Sequence, residues 1–341
     1  MERNNKVDII RGLAMLMVVF QHTIIGSSVG FEDSLIFGVI WSLQMPLFFI
    51  ISGYVTRYSR KINTSSDLWT LVKKRSLAYL LPWLVWTIVI RGIIFGQELF
   101  LNLRYLLWHM DSGYWFLVSL WCIVILFSIT DYTVNRFKIK SVAWIIVLHV
   151  CGMFIGIGVL GGIGLMAGMN FLDVKLTIYY IPLFTGGYLF GQLQERISTI
   201  KYAKTVMPAV YAICLGVWLW LLLHMQFFAV EMTSSVLVMR YIASILGAIF
   251  VISCISGNYR LEKVLGIAGV YSLEIYLTHY LFLNLLTSSQ TPIFSSSQGF
   301  LMIILNYTIT LTLTSLVIIL TKRNPVLSKA LYFKRAKNTL Q

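Results

Sequence analysis

Residues 8–27 read DIIRGLAMLMVVFQHTIIGS. At a rise of 1.5 Å per residue such a stretch forms a helix of about 30 Å, the thickness of a bilayer's hydrocarbon core. Asp8, Arg11 and His22 are its only ionisable residues. No small-residue cleavage site follows, so the stretch reads as the first helix of the mature protein rather than a removed leader.

Outward from it the same signal repeats. Apolar stretches of spanning length fall at about 34–55, 77–95, 114–131, 141–160, 177–193, 206–228, 236–255, 264–286 and 299–321. The 341 residues are 58% hydrophobic and 12% charged, with a mean hydropathy of +0.81. A soluble domain is about one quarter charged, so this chain lacks the polar surface to cover a globule in water. The expected architecture is all-α, a polytopic transmembrane bundle of about ten spans, forming one integral-membrane domain over residues 1–341. The Gly-rich stretch 151–168 is the place where a broken or re-entrant segment would sit.

The basic residues orient the bundle. With the N-terminus in the cytoplasm and the spans alternating, 23 of the 27 Lys and Arg fall on the inner side. Only Arg91, Arg104, Lys175 and Arg240 fall on or near the outer side. That is the bias of the positive-inside rule, and it puts both termini in the cytoplasm. The net charge of +14 is thereby explained by short loops, and nucleic acid is not expected as a partner. The tail basics Lys329, Lys334, Arg335 and Lys337 suit anionic lipid headgroups. Cys122, Cys151, Cys214 and Cys254 lie far apart in apolar spans, with neither metal-ligand spacing nor a disulfide pattern.

Ionisable groups inside the hydrocarbon are costly and face the bundle interior or a cavity. At about 100° per residue, Asp8, Arg11, Met15, Val18 and His22 fall within about 80° of one another, a single stripe. Arg11 and His22 are separated by about 16 Å along it. Snorkelling is the alternative for Asp8 and Arg11, and an interhelical hydrogen bond is the alternative for His22. In the ninth stretch, Ser272, Tyr276 and His279 share a face through their i, i+4, i+7 spacing, while Glu274 points away from it. A hydrogen-bond network explains this group as well as catalysis does. Pro46 is expected to bend the second helix, and Ser52-Gly53-Tyr54 to end it where a backbone or ligand comes close.

At these residues the chain resembles the membrane-bound acyltransferase-3 family. Arg11 and His22 match its R-x10-H pattern, and Phe48-Phe49-Ile50-Ile51-Ser52-Gly53-Tyr54 looks like its FFxxSG(F/Y) motif. Tyr114-Trp115-Phe116-Leu117 resembles its WFL element, and residues 271–279 resemble its SLxIYLxH element. The flavour is closest to the fucose 4-O-acetylase-like branch. One departure is plain: where the family often has R-x-x-R entering helix 3, Lys73-Lys74-Arg75 is followed by Ala78.

The resemblance implies transfer of an acetyl group from acetyl-CoA to a hydroxyl of a surface or lipid-linked carbohydrate, in the cell membrane of a bacterium. A basic cytoplasmic mouth of Arg11, Arg57, Lys73, Lys74 and Arg75 suits the phosphates of the donor, with Ser52 and Gly53 beside it. His22 is expected to be the base, with Asp8 orienting or charge-balancing Arg11. Ser272, Glu274, Tyr276, His279 and Trp115 are candidates for supporting the acceptor. Acetyl-CoA is expected as cosubstrate, with no metal, and polysaccharide assembly proteins are candidate partners. The rival readings are a translocator of a polysaccharide or lipid-linked saccharide and a structural partner in an assembly complex.

Overall fold

A backbone in hydrocarbon has no water to bond, so each spanning stretch must close its own hydrogen bonds as a helix. The computed structural model describes residues 4–59, 61–110, 113–198, 203–224, 233–255, 260–288 and 290–333. Among the described residues, eight helices are long and apolar enough to cross a membrane. Arg3, Arg60, Lys201, Ser289, Lys334, Arg335 and Lys337 lie outside the described residues. The chain divides into two compact units, Met1–Ile51 with Arg196–Thr321, and Ser52–Glu195 with Lys322–Gln341.

The first unit contains α1 (Asn5–Ser27), most of α2 (Leu35–Arg57), α8 (Ala203–His224), α9 (Ser234–Cys254), α10 (Arg260–Val270), α11 (Ser272–Thr278) and nearly all of α12 (Ser297–Arg323). Asn4 caps α1 by accepting the Lys6 N–H. α1 lies so close to α10 that a Cβ at Gly12 would fall on the Leu265 carbonyl, and one at Gly269 on that of Asp8. Glycine is required at both by this backbone approach. Trp218 of α8 donates to Ser42 of α2 at 3.2 Å. Arg240, expected near the outer side, is buried within α9.

The second unit contains the end of α2, α3 (Ser65–Leu84), α4 (Leu103–Trp108), α5 (Trp115–Arg136), α6 (Val142–Ala167), α7 (Val174–Ser198) and α13 (Pro325–Tyr332). A π-helical run, Val85–Ile94, continues α3. α3 begins well before the apolar stretch at 77–95. Thr64 and Asp67 form a capping box that starts the helix, so Lys73, Lys74 and Arg75 lie on its surface rather than in a loop. The 151–168 stretch is neither broken nor re-entrant: α6 is continuous to Ala167 and ends at Gly168, φ 94°. α2 runs past Ser52-Gly53-Tyr54 to Arg57 with Pro46 inside it. What approaches Gly53 is the Phe184 carbonyl of α7.

The ninth expected span, 264–286, is corrected. It is α10, a break at Tyr271, α11, and a 3-10 turn His279–Leu281, followed by non-helical chain. Side chains of α12 explain why the helix can stop. Thr310 donates to the Phe282 carbonyl at 2.8 Å. Asn306 accepts from the Leu286 N–H at 2.9 Å and donates to its carbonyl at 3.0 Å. Backbone groups that the membrane would otherwise leave unpaired are thus satisfied without a helix.

Candidate functional site

In the first unit, the stripe expected on α1 is real: Asp8, Met15 and Val18 are buried, while Arg11 and His22 are half-buried. Asp8 and Arg11 both have interaction partners. A shallow cavity of about 430 Å³ opens beside Asp8, lined by Asn5, Lys263, Gly266, Ile267 and Val270. Lys263 adds a cation that sequence reasoning did not place in the basic mouth.

Five residues before the end of α1, His22 meets the break after α11. Its Nε2 lies 3.1 Å from the Tyr280 hydroxyl. Its ring is 5.5 Å from that of His279 and 5.0 Å from that of Tyr280. His279 and Tyr280 are 4.3 Å apart, and Tyr276 lies 6.1 Å from His279. His279 is fully buried, with Nδ1 3.0 Å from the Ile275 carbonyl. A carbonyl only accepts, so Nδ1 donates and a neutral ring carries its lone pair on Nε2. Two imidazoles and a phenol drawn together in this way form an acid–base site able to accept, hold and return a proton.

The break that ends the ninth span is what builds this cluster. It brings His22, Tyr276 and His279 together and adds Tyr280, which sequence reasoning missed. Ser272 opens α11, and Glu274 is buried in its first turn. Gln21, adjacent to His22, is buried and bonded to the Gln44 amide of α2. Tyr280 carried a usable signal, since it directly follows the SLxIYLxH-like element.

The other expected site residues fall in the second unit. Arg57 is half-buried, its Nε sealed from solvent without a hydrogen-bond partner among the described residues. Lys73 and Lys74 are exposed, and Arg75 donates to the Tyr79 hydroxyl at 3.3 Å. Trp115 opens α5 and stacks on Tyr180 at 5.6 Å. Arg91, expected on or near the outer side, lies 3.9 Å over the Phe100 ring and donates to Gln97. A buried polar cluster in this unit also escaped notice. Asp131 of α5 accepts from Tyr188 of α7 at 2.7 Å and lies 3.1 Å from Nε2 of His149 of α6. The rule that singled out His22, an ionisable group inside an apolar stretch, applies equally to His149.

Fold and site define a polytopic, all-α membrane protein with an acid–base cluster where a first helix meets a broken late one. The acyltransferase-3 family model, described as an acyltransferase domain, matches residues 4–321. The chain belongs to the acyltransferase-3 family and is an acyltransferase enzyme. No curated protein and no solved structure matches it.

Proposed function

We propose that the protein moves an acetyl group from cytoplasmic acetyl-CoA to a hydroxyl of a cell-surface or lipid-linked carbohydrate in a bacterial cell membrane. The observation that carries this reading is the His22 cluster: a half-buried imidazole on the same helix stripe as Arg11, beside Tyr280 and His279. His22 takes the proton of the acceptor hydroxyl as its oxygen bonds to the thioester carbon. The C–S bond then breaks with its electron pair on sulfur, and the proton passes from His22 to the CoA thiolate. A general base of this kind contributes about 10²–10⁴-fold.

The donor's phosphates call for cations. Within the first unit, Arg11 on the stripe of α1 and Lys263 beside the Asp8 cavity are the cations that suit them. A carbohydrate hydroxyl is the natural acceptor for a histidine base, because its proton must be removed as it attacks. The test uses the purified protein in vesicles with radiolabelled acetyl-CoA and mass spectrometry of surface glycans from cells with and without the gene. Acetyl-CoA consumption together with loss of glycan acetyl groups on deletion is expected. Unchanged glycan acetylation with altered glycan export would favour the translocator instead.

A further inference from the structure

An imidazole has two distinct nitrogens, and the partner of one decides what the other can do. In His22 the Tyr280 hydroxyl occupies Nε2 at 3.1 Å. The ring makes no other hydrogen bond among the described residues, so Nδ1 is the nitrogen left for substrate. A base must present a lone pair to the proton it removes. With Nδ1 as that atom, Nε2 carries the hydrogen of the neutral ring and the Tyr280 oxygen accepts it.

We propose that Tyr280 is a positioning residue for acyl transfer: it accepts the Nε2–H of His22, selects that tautomer and aims Nδ1 at the acceptor hydroxyl. This rests on the reading of His22 as the base. The acceptor's O–H bond breaks and its proton goes to Nδ1, while its oxygen pair forms the bond to the thioester carbon. The ring is then an imidazolium with a hydrogen on each nitrogen. Tyr280 still accepts from Nε2, so it stabilises the charge as it forms. When the CoA sulfur takes the proton from Nδ1, the starting tautomer returns with its hydrogen bond intact.

The surroundings of Tyr280 fit a part that must not move. It occupies the 3-10 turn His279–Leu281. On one side its ring lies 4.3 Å from that of His279, which the Ile275 carbonyl anchors. On the other, Thr310 holds the Phe282 carbonyl and Asn306 holds Leu286. Ser27, the last residue of α1, donates to Asn284 at 2.8 Å and accepts from Asn306 at 3.0 Å. The helix bearing His22 and the chain that follows the turn bearing Tyr280 are therefore tied to the same side chain of α12.

The test is nitrogen NMR of the full-length protein in nanodiscs, labelled with 15N-histidine, with the His22 signals assigned by their loss in His22→Gln. The native protein is expected to show His22 with hydrogen on Nε2, and Tyr280→Phe a mixture of tautomers. Tyr280→Phe should also lower kcat about 10- to 100-fold, as loss of a partner orienting a working histidine does, with KM for acetyl-CoA within about twofold. A native His22 carrying its hydrogen on Nδ1 would overturn the proposal. So would a Tyr280→Phe protein with native tautomer and native kcat. Retained transfer in His22→Gln sinks the base assignment instead, and the native spectrum still decides whether Tyr280 accepts from Nε2.

Discussion

Asn306 bonds Leu286 on both sides of one residue, taking its N–H at 2.9 Å and giving to its carbonyl at 3.0 Å. It also donates to Ser27 at 3.0 Å and is fully buried. One side-chain amide on α12 thus does for the chain after α11 what a next helical turn would have done. This allows the late helix to break and bring His279 and Tyr280 beside His22.

Removing that amide should loosen the break. Asn306→Ala removes the side-chain partner of the part-buried Leu286 N–H and carbonyl, a cost of up to about 1 kcal/mol for each bond. A lower unfolding temperature in detergent is expected, with reduced transfer. An unfolding temperature equal to that of the native protein would show the clamp to be dispensable.

His22→Ala should cut acetyl transfer by about 10²–10⁴-fold while the protein still inserts and binds acetyl-CoA. His22→Gln keeps hydrogen-bonding capacity without basicity, and should be as impaired as Ala. Near-native transfer with Gln would mark the histidine as a packing residue and move the search for the base to His279 or Glu274.

Charge reversal separates donor from acceptor binding. Arg11→Glu or Arg75→Glu should raise KM for acetyl-CoA more than KM for the acceptor, because the lost partner is a phosphate group. Steady-state kinetics with each substrate varied in turn reads this directly. Unchanged acetyl-CoA dependence in both variants would remove these residues from donor binding.

Orientation can be read by labelling single cysteines in a cysteine-free background. Asp33 and Thr291 are exposed positions in the two loops expected outside, and Lys61 is exposed in one expected inside. An impermeant thiol reagent on intact cells should label cysteine at 33 and 291 and spare it at 61. Labelling at 61 would reverse the assignment drawn from the basic residues.

The Asp131 cluster should matter to the fold of the second unit. Asp131→Leu leaves the Tyr188 hydroxyl without its carboxylate acceptor and His149 without one of its two partners. A loss of about 1–3 kcal/mol per stranded group should appear as a lower unfolding temperature. A variant as heat-resistant as the native protein would show that these bonds contribute nothing net.

Apolar length was enough to place α1, α2, α5, α6, α8, α9 and α12, because a spanning segment in lipid has no alternative to helix. Where the rule met residues outside hydrocarbon it fell short. Lys73, Lys74 and Arg75 gave no apolar signal, yet Thr64 and Asp67 begin α3 ahead of them. The run 264–286 had the length and hydropathy of a span and still broke, and the Thr310 and Asn306 that satisfy its backbone lie some twenty to thirty residues away in the chain.

Composition and periodicity by themselves determined that this is a helical membrane protein, and that Arg11 and His22 share one stripe of its first helix. Those are local matters, settled by transfer free energy and by 3.6 residues per turn. Only the tertiary structure decided that His22 meets Tyr280 and His279, and that Asp131 joins His149 and Tyr188. Such meetings depend on which backbone groups find partners on other helices, and no spacing along the chain records that.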